Sequence, residues 1–268
     1  MIARLREDRM AAVPYLFWTW FSIGLVLLLI YRVPSFLQFS NALFLLFFAV
    51  YSLYLERGQA SGLHGEGWLQ SRLGGFRFQD LLRALMVGVI TYLIEWNGTI
   101  TGWPFGSYVY TNTLRLWDGG IPIAIPWAWI GVMTTSVMLS TSSNRFIRGV
   151  QAGMYALVFD LVLDPVAYHL RFWEWSSEGA WGTYYGVPWQ NFTSWFTIAF
   201  LLSFLYPVRP MQTPVPKASL RLYQGMLAMF GLLALKAGLW GPFAIALLTA
   251  LVLEGGIRHD RSKQEQLV

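Results

Sequence analysis

Residues 147–168 read IRGVQAGMYALVFDLVLDPVAY, and within them Phe159-Asp160-Leu161-Val162-Leu163-Asp164-Pro165 sets two carboxylates four residues apart inside an apolar run. That spacing predicts both on one face of a helix, with Cβ atoms about 5–6 Å apart. An ionised carboxylate in hydrocarbon is costly, and two neighbours resist ionising together, so the pair is expected to share a proton and act as a poised acid. Pro165 removes a backbone donor and crowds the carbonyl four residues before it, which predicts a bend or an end of the helix at the second Asp. For a single intramembrane carboxylate an ion pair or a packing contact is an equal alternative. Two on one face beside a proline favour chemistry.

The surrounding chain fixes the class. Of its 268 residues 56% are hydrophobic and only 12% charged, and the mean hydropathy is +0.47, which is too apolar for an ordinary soluble domain. The reading is an all-α, polytopic membrane helix bundle. There is no Cys, which excludes disulfides, thiolate metal sites and cysteine nucleophiles. The three His, His64, His169 and His259, are scattered and cannot supply the clustered ligands of a membrane di-iron oxygenase. Neither a G-x-G-x-x-G turn nor a phosphate-binding loop occurs, so no cofactor and no metal is expected. Any chemistry falls to carboxylates, Tyr, Trp and water.

Eight apolar runs are predicted as spanning helices: 14–31, 36–55, 81–96, 121–139, 147–168, 189–206, 220–235 and 239–253. The first lacks a small-residue cleavage site and is followed by a second, so it is read as retained. A polar, Gly-rich connection occupies 56–79. The whole is expected to be one transmembrane domain over 1–268, with a catalytic core at about 80–206, flanking helices at 14–55 and 220–253, and a polar tail at 254–268. Placing the N-terminus in the cytoplasm puts fifteen of the 19 Lys and Arg on that side. Only Arg32, Arg115, Arg171 and Lys236 remain outside, so both termini are expected to be cytoplasmic in a multi-pass protein of the cell membrane. The net charge of +5 then reflects topology and contact with the lipid bilayer, and no basic-aromatic module suggests nucleic acid.

With this orientation Glu95, Asp160 and Asp164 all lie in the outer half of the membrane. Their helices open into aromatic loops at 96–120 and 171–188, where an interfacial belt accounts for most of the Trp and Tyr. Gly98, Gly102 and Pro104-Phe105-Gly106 would let the backbone fold back over the helix end as a re-entrant cap, which brings Glu95 to the cavity of the Asp pair. Gly106-Ser107-Tyr108-Val109-Tyr110 before Gly120-Ile121-Pro122, and Gly182-Thr183-Tyr184-Tyr185 before Gly186-Val187-Pro188, suggest a parallel repeat with Pro in the first turn of each returning helix.

The run from Glu95-Trp96-Asn97-Gly98-Thr99-Ile100-Thr101-Gly102-Trp103-Pro104-Phe105-Gly106 to Tyr110, then Asp160 with Asp164-Pro165, then Tyr185-Gly186-Val187-Pro188 with Asn191 and Trp195, resembles the membrane-embedded carotenoid 1,2-hydratase family. That family includes bisanhydrobacterioruberin hydratase and the γ-carotene 1′-hydroxylating hydratases. The resemblance covers about residues 95–195 and implies cofactor-free addition of water across the terminal double bond of an acyclic carotenoid end group, giving a tertiary alcohol. It implies a carotenoid and water as reactants and other carotenoid biosynthesis enzymes as possible partners.

Such chemistry requires a proton donor, aromatic faces for a tertiary cation and an oriented water. Asp160, Asp164 and Glu95 are the expected catalytic groups. Asn97, Thr101, Tyr108, Tyr110, Tyr168 and Asn191 could orient water, and Trp103 and Trp195 could face the substrate, although packing or capping would explain each singly. Three other readings use the same residues. An acid-initiated terpene or lycopene cyclase would share the protonation. A Mg2+-dependent prenyltransferase would need a second acidic cluster that the chain lacks. A transporter or scaffold would need no chemistry.

Overall fold

The computed structural model describes residues 2–31, 37–60, 77–114, 120–176, 181–208 and 215–266. His64, Arg72, Arg32, Arg115, Trp117 and Arg209 lie outside the described residues, as do the side chains before Ala12 and after Gly256. Among the described residues eight α-helices build a bundle: α1 Ile2–Ile30, α2 Phe39–Ala60, α3 Phe78–Thr101, α4 Ala124–Leu139, α5 Arg145–His169, α6 Trp189–Leu202, α7 Lys217–Lys236 and α8 Trp240–Gln266. Four of them, in α1, α2, α5 and α7, are long and apolar enough to cross a membrane, while α4 and the apolar part of α8 are shorter. This is an all-α membrane bundle.

Small residues let the helices close on one another. Gly131 of α4 sits against Phe48 of α2, whose ring leaves no room there for a Cβ, and Phe48 stacks on Phe159 of α5. On α5, Gly149 and Gly153 stand one turn apart and receive Phe200 and Phe196 of α6. This small-residue stripe permits the close approach that apolar helices need, because burial alone does not drive their association in lipid. By contrast α1 is lightly held, with only 11% of its apolar window buried.

Two short antiparallel ladders cover one end of the bundle. In the first, β1 Tyr108–Tyr110 follows α3 and pairs with β2 Trp173–Trp175, which follows α5. In the second, β3 Thr183–Tyr184 turns back on β4 Val187–Pro188 just before α6. The first ladder therefore ties together the two helices that carry the acids.

Several expectations need correction. The helix does not end at Pro165 but runs on to His169, because Pro165, Val166 and Ala167 are buried in the bundle and its exit is capped by Leu170 N–H to Val166 and Phe172 N–H to Ala167. Tertiary packing offsets the one missing bond. The first helix begins at Ile2, so Pro14 lies inside it, and the polar tail is helical to Gln266. Pro188 is the N-cap of α6 and Pro122 precedes α4, so neither occupies a first helical position. Arg148, counted on the cytoplasmic side, is buried and donates to the carbonyls of Ser203, Tyr206 and Pro207 beyond the end of α6, where unpaired carbonyls attract a cation. The two Gly-x-Tyr loops also differ in structure, since one pairs across to β2 and the other forms its own turn.

Candidate active site

Glu95 is buried near the C-terminal end of α3. Gly102 ends that helix in the left-handed region at φ 74°, and a side chain there would meet Ser107 Oγ at 2.7 Å. Glycine thus permits the tight reversal that sends the chain back over the helix as β1. Residues two apart on a strand share a face, so Tyr108 and Tyr110 both reach the carboxyl. Tyr108 donates to Glu95 Oε2, Tyr110 donates to the same oxygen at 2.8 Å, and Trp129 Nε1 of α4 donates to Oε1 at 2.9 Å. The expected re-entrant cap is present and places three donors on one carboxyl. Burial first, and then the nearby Glu95 charge, push both phenols well above their ordinary range, so they remain donors.

Asp160 and Asp164 are buried on one face of α5, as their spacing requires. One amide holds both: Asn191 Nδ2 donates to Asp160 Oδ2 at 2.9 Å and to Asp164 Oδ2 at 2.6 Å. Four residues further along the same face of α6, Trp195 stacks on Trp129 with ring centroids 3.9 Å apart and planes 17° from parallel. The helix α6 therefore links the Asp pair to the tryptophan that holds Glu95. Gln190 and Ser194 fasten it further by donating to the Pro104 carbonyl, at 2.8 and 2.7 Å, in the turn after α3.

Between these groups lies a cavity of about 60 Å³ bordered by Glu95, Asp164 and Asn191 and walled by Phe105, Tyr108, Tyr110, Trp129, Trp173, Trp175 and Trp195. At about 10–15 Å³ per water, that is room for a few waters or a small branched hydrocarbon end. Asp160 lies deeper, behind Asp164, and reaches the cavity through it and Asn191. Among the described residues no Lys or Arg forms an ion pair with any of the three acids. Nor does any group of three His, Asp or Glu there form a metal cluster.

Of the expected residues, Glu95, Asp164, Tyr108, Tyr110, Asn191 and Trp195 border the cavity, with Asp160 directly behind. The others do not. Asn97 donates to the Trp103 carbonyl, Thr101 bonds the Asn97 carbonyl, and Trp103 is exposed, so these three shape the turn outside the site. Tyr168 packs under Gly186. Three tryptophans beyond those expected enter the site through the fold. Trp129 comes from a helix that is buried on nearly every side, and Trp173 and Trp175 lie opposite Tyr110 and Tyr108 on β2. The indole N–H groups of the latter two are buried without an acceptor among the described residues. An alternating Trp-Glu-Trp was the available signal for a strand with both indoles on one side. The helices expected to flank the core also contribute, through Leu45 of α2 and Phe230 of α7.

The fold and the site define a helical membrane protein with a buried carboxyl group cluster in an aromatic cavity. The chain belongs to the carotenoid biosynthesis protein family, which it matches over residues 67–253. A stretch of 121 residues is 28% identical to the bisanhydrobacterioruberin hydratase of Haloarcula japonica, covering 42% of this chain. The match spans 40% of that relative's length. No solved structure matches the chain. The resemblance drawn from residues 95–195 thus leads to the right family.

Proposed function

We propose that the protein is a hydratase that adds water across the terminal C1–C2 double bond of an acyclic carotenoid end group. The observation that carries this reading is the convergence of carboxyl groups from two helices on one aromatic cavity that has no cationic partner. The Asp160–Asp164 pair holds the proton and delivers it to the less substituted alkene carbon, whose π electrons form the new C–H bond. The adjacent carbon becomes a tertiary cation. Trp129, Trp195 and the other ring faces stabilise it by roughly 0.5–2 kcal/mol each without supplying a nucleophile. A water lone pair then forms the C–O bond, and Glu95, fixed by its three donors, takes the proton that water releases. Return of that proton to the Asp pair through cavity water restores the starting state. The sum is addition of one water with no change of oxidation level, so the step as written calls for no cofactor.

The same reading makes the protein a multi-pass protein of the cell membrane with both termini cytoplasmic and its acids in the outer half of the bilayer. A lipophilic polyene reaches it from the lipid, alongside other enzymes of the same biosynthesis. The 40% coverage of the hydratase relative supports the reaction class and leaves the carotenoid itself to experiment. The test is expression in a host that accumulates an acyclic carotene, followed by chromatography and mass analysis. A product heavier by one water supports hydration. An isomer of unchanged mass would identify a cyclase, and an unchanged pigment profile would rule out both.

A further inference from the structure

The acid cavity adjoins a second space. Leu45, Leu114, Phe172 and Phe230 wall both it and a cavity of about 70 Å³ enclosed by α1, α2 and α7. From α1 this second wall is made by Trp20, Gly24, Leu27 and Leu28, which recur on one helical face and extend it over about 12 Å. At its centre Gly24 has nothing within 4 Å of where a Cβ would stand. Beyond, the groove shares Leu28, Asn41, Leu170, Phe172 and Leu233 with a wider space of about 490 Å³ that Gln38, His169, Arg171 and Lys236 make polar.

We infer that this groove binds the linear isoprenoid chain adjoining the end group that sits among the acids, an inference that rests on the hydratase reading. A water channel does not fit the lining. Ordered water needs two to four polar partners, and among the described residues the groove offers only Ser40, the Trp20 indole and Asn41, whose amide already donates to the Thr113 carbonyl. An extended apolar chain fits both the lining and the shape. Its neighbour is an alkene-sized cavity at one end, and the polar space at the other end limits the apolar track. The outer wall, α1, is also the most lightly packed long apolar helix, so a chain can enter from lipid by moving α1 aside without disturbing α3, α5 or α6. The groove therefore selects extended chains and sets how far the terminal double bond reaches toward Asp164.

The test fills the groove. Gly24→Phe and Ser40→Trp approach it from different helices, and Val26→Phe, on an exposed part of α1, is the control. Each full-length variant in lipid nanodiscs is titrated with a long acyclic carotene, read by its visible absorption, and assayed for hydration of a short acyclic isoprenoid hydrocarbon with the same end. Both filling variants should weaken long-chain binding by at least about tenfold, a difference well outside that of the control. Their effect on the short substrate should be several-fold smaller. Binding of the long chain at wild-type strength in both filling variants would overturn the groove, as would equal loss for long and short substrates. If the wild type hydrates nothing yet the filling variants still lose long-chain binding, the groove stands and the hydratase reading falls.

Discussion

Replacing Glu95 by Gln separates its chemical role from its structural one. The carboxyl accepts from Trp129 at one oxygen and from Tyr108 and Tyr110 at the other. An indole N–H can only donate, so the amide oxygen must face Trp129, and the NH2 then faces the two phenols, which can accept as well as donate. All groups keep partners, but charge-assisted bonds become neutral ones, a loss of about 1–3 kcal/mol in all. A protein with about 5–15 kcal/mol of stability survives that. Glu95→Leu strands three buried donors at about 1–3 kcal/mol each and should approach the limit of folding. If Glu95 accepts the proton from water, Glu95→Gln should lower product per folded protein by about 100-fold or more. Product is measured against monodisperse, detergent-solubilised protein whose thermal midpoint is recorded in parallel. A folded Glu95→Gln variant retaining more than about half of wild-type turnover would refute the base assignment, since loss of a 10²-fold effect cannot hide there.

Asp160→Asn and Asp164→Asn should each insert and fold, yet lose product by about 100-fold or more, because an amide keeps the contact with Asn191 but cannot cycle a proton; full activity in both would remove the pair from the mechanism. Trp129→Phe keeps a ring against Trp195 while deleting one donor to Glu95, and should cost about 1–3 kcal/mol of stability with a roughly tenfold drop in turnover, read by melting and by product formation. Oxygen in the product should carry label from labelled water and none from labelled O2. Because the folded phenols of Tyr108 and Tyr110 titrate above their unfolded value of about 10, their contribution to stability is intact below that pH and lost as pH rises beyond it. Thermal midpoints should therefore fall above about pH 10, less steeply in Tyr108→Phe, and equal slopes would contradict this.

The helical architecture was legible because an apolar span announces itself by composition, and the Asp pair because a spacing of four must share a face. Glu95 was legible for a different reason: the glycines after it permit a reversal, and the reversal is what brings Tyr108 and Tyr110 back to it. Asn97, Thr101 and Trp103 stand in the same motif, but their side chains are consumed in holding the turn, a distinction that depends on a few ångströms of backbone path. Trp129 could not be read as a ligand of Glu95 because α4 is buried nearly all round, so periodicity does not single out a functional face. The pairing of β1 with β2 was hidden for a related reason. Two three-residue strands far apart in sequence carry almost no local signal, whereas the tertiary arrangement of α3 and α5 forces their loops together.

The two ends of α3 show how the fold treats carboxylates when chemistry is not at stake. Asp80, in its first turn, and Glu56 of α2 both bond Arg83 Nη2, at 3.0 and 2.7 Å, and the guanidinium lies 4.9 Å from the Tyr206 ring centre. That is compensation of buried charge by a cation with a planar, rigid donor set, as burial normally demands. Some 18 Å along the same helix, Glu95 faces Asp164 across the cavity with neutral donors only. Neutral donors orient a carboxyl and soften its desolvation without cancelling its field. A fixed cation at this point would repel a carbocation at close range, and in a low-dielectric site that repulsion outweighs any gain in stability. In the proposed hydration, an uncompensated acidic cavity would cost folding energy in the resting protein and favour the tertiary cation, the differential stabilisation that catalysis requires.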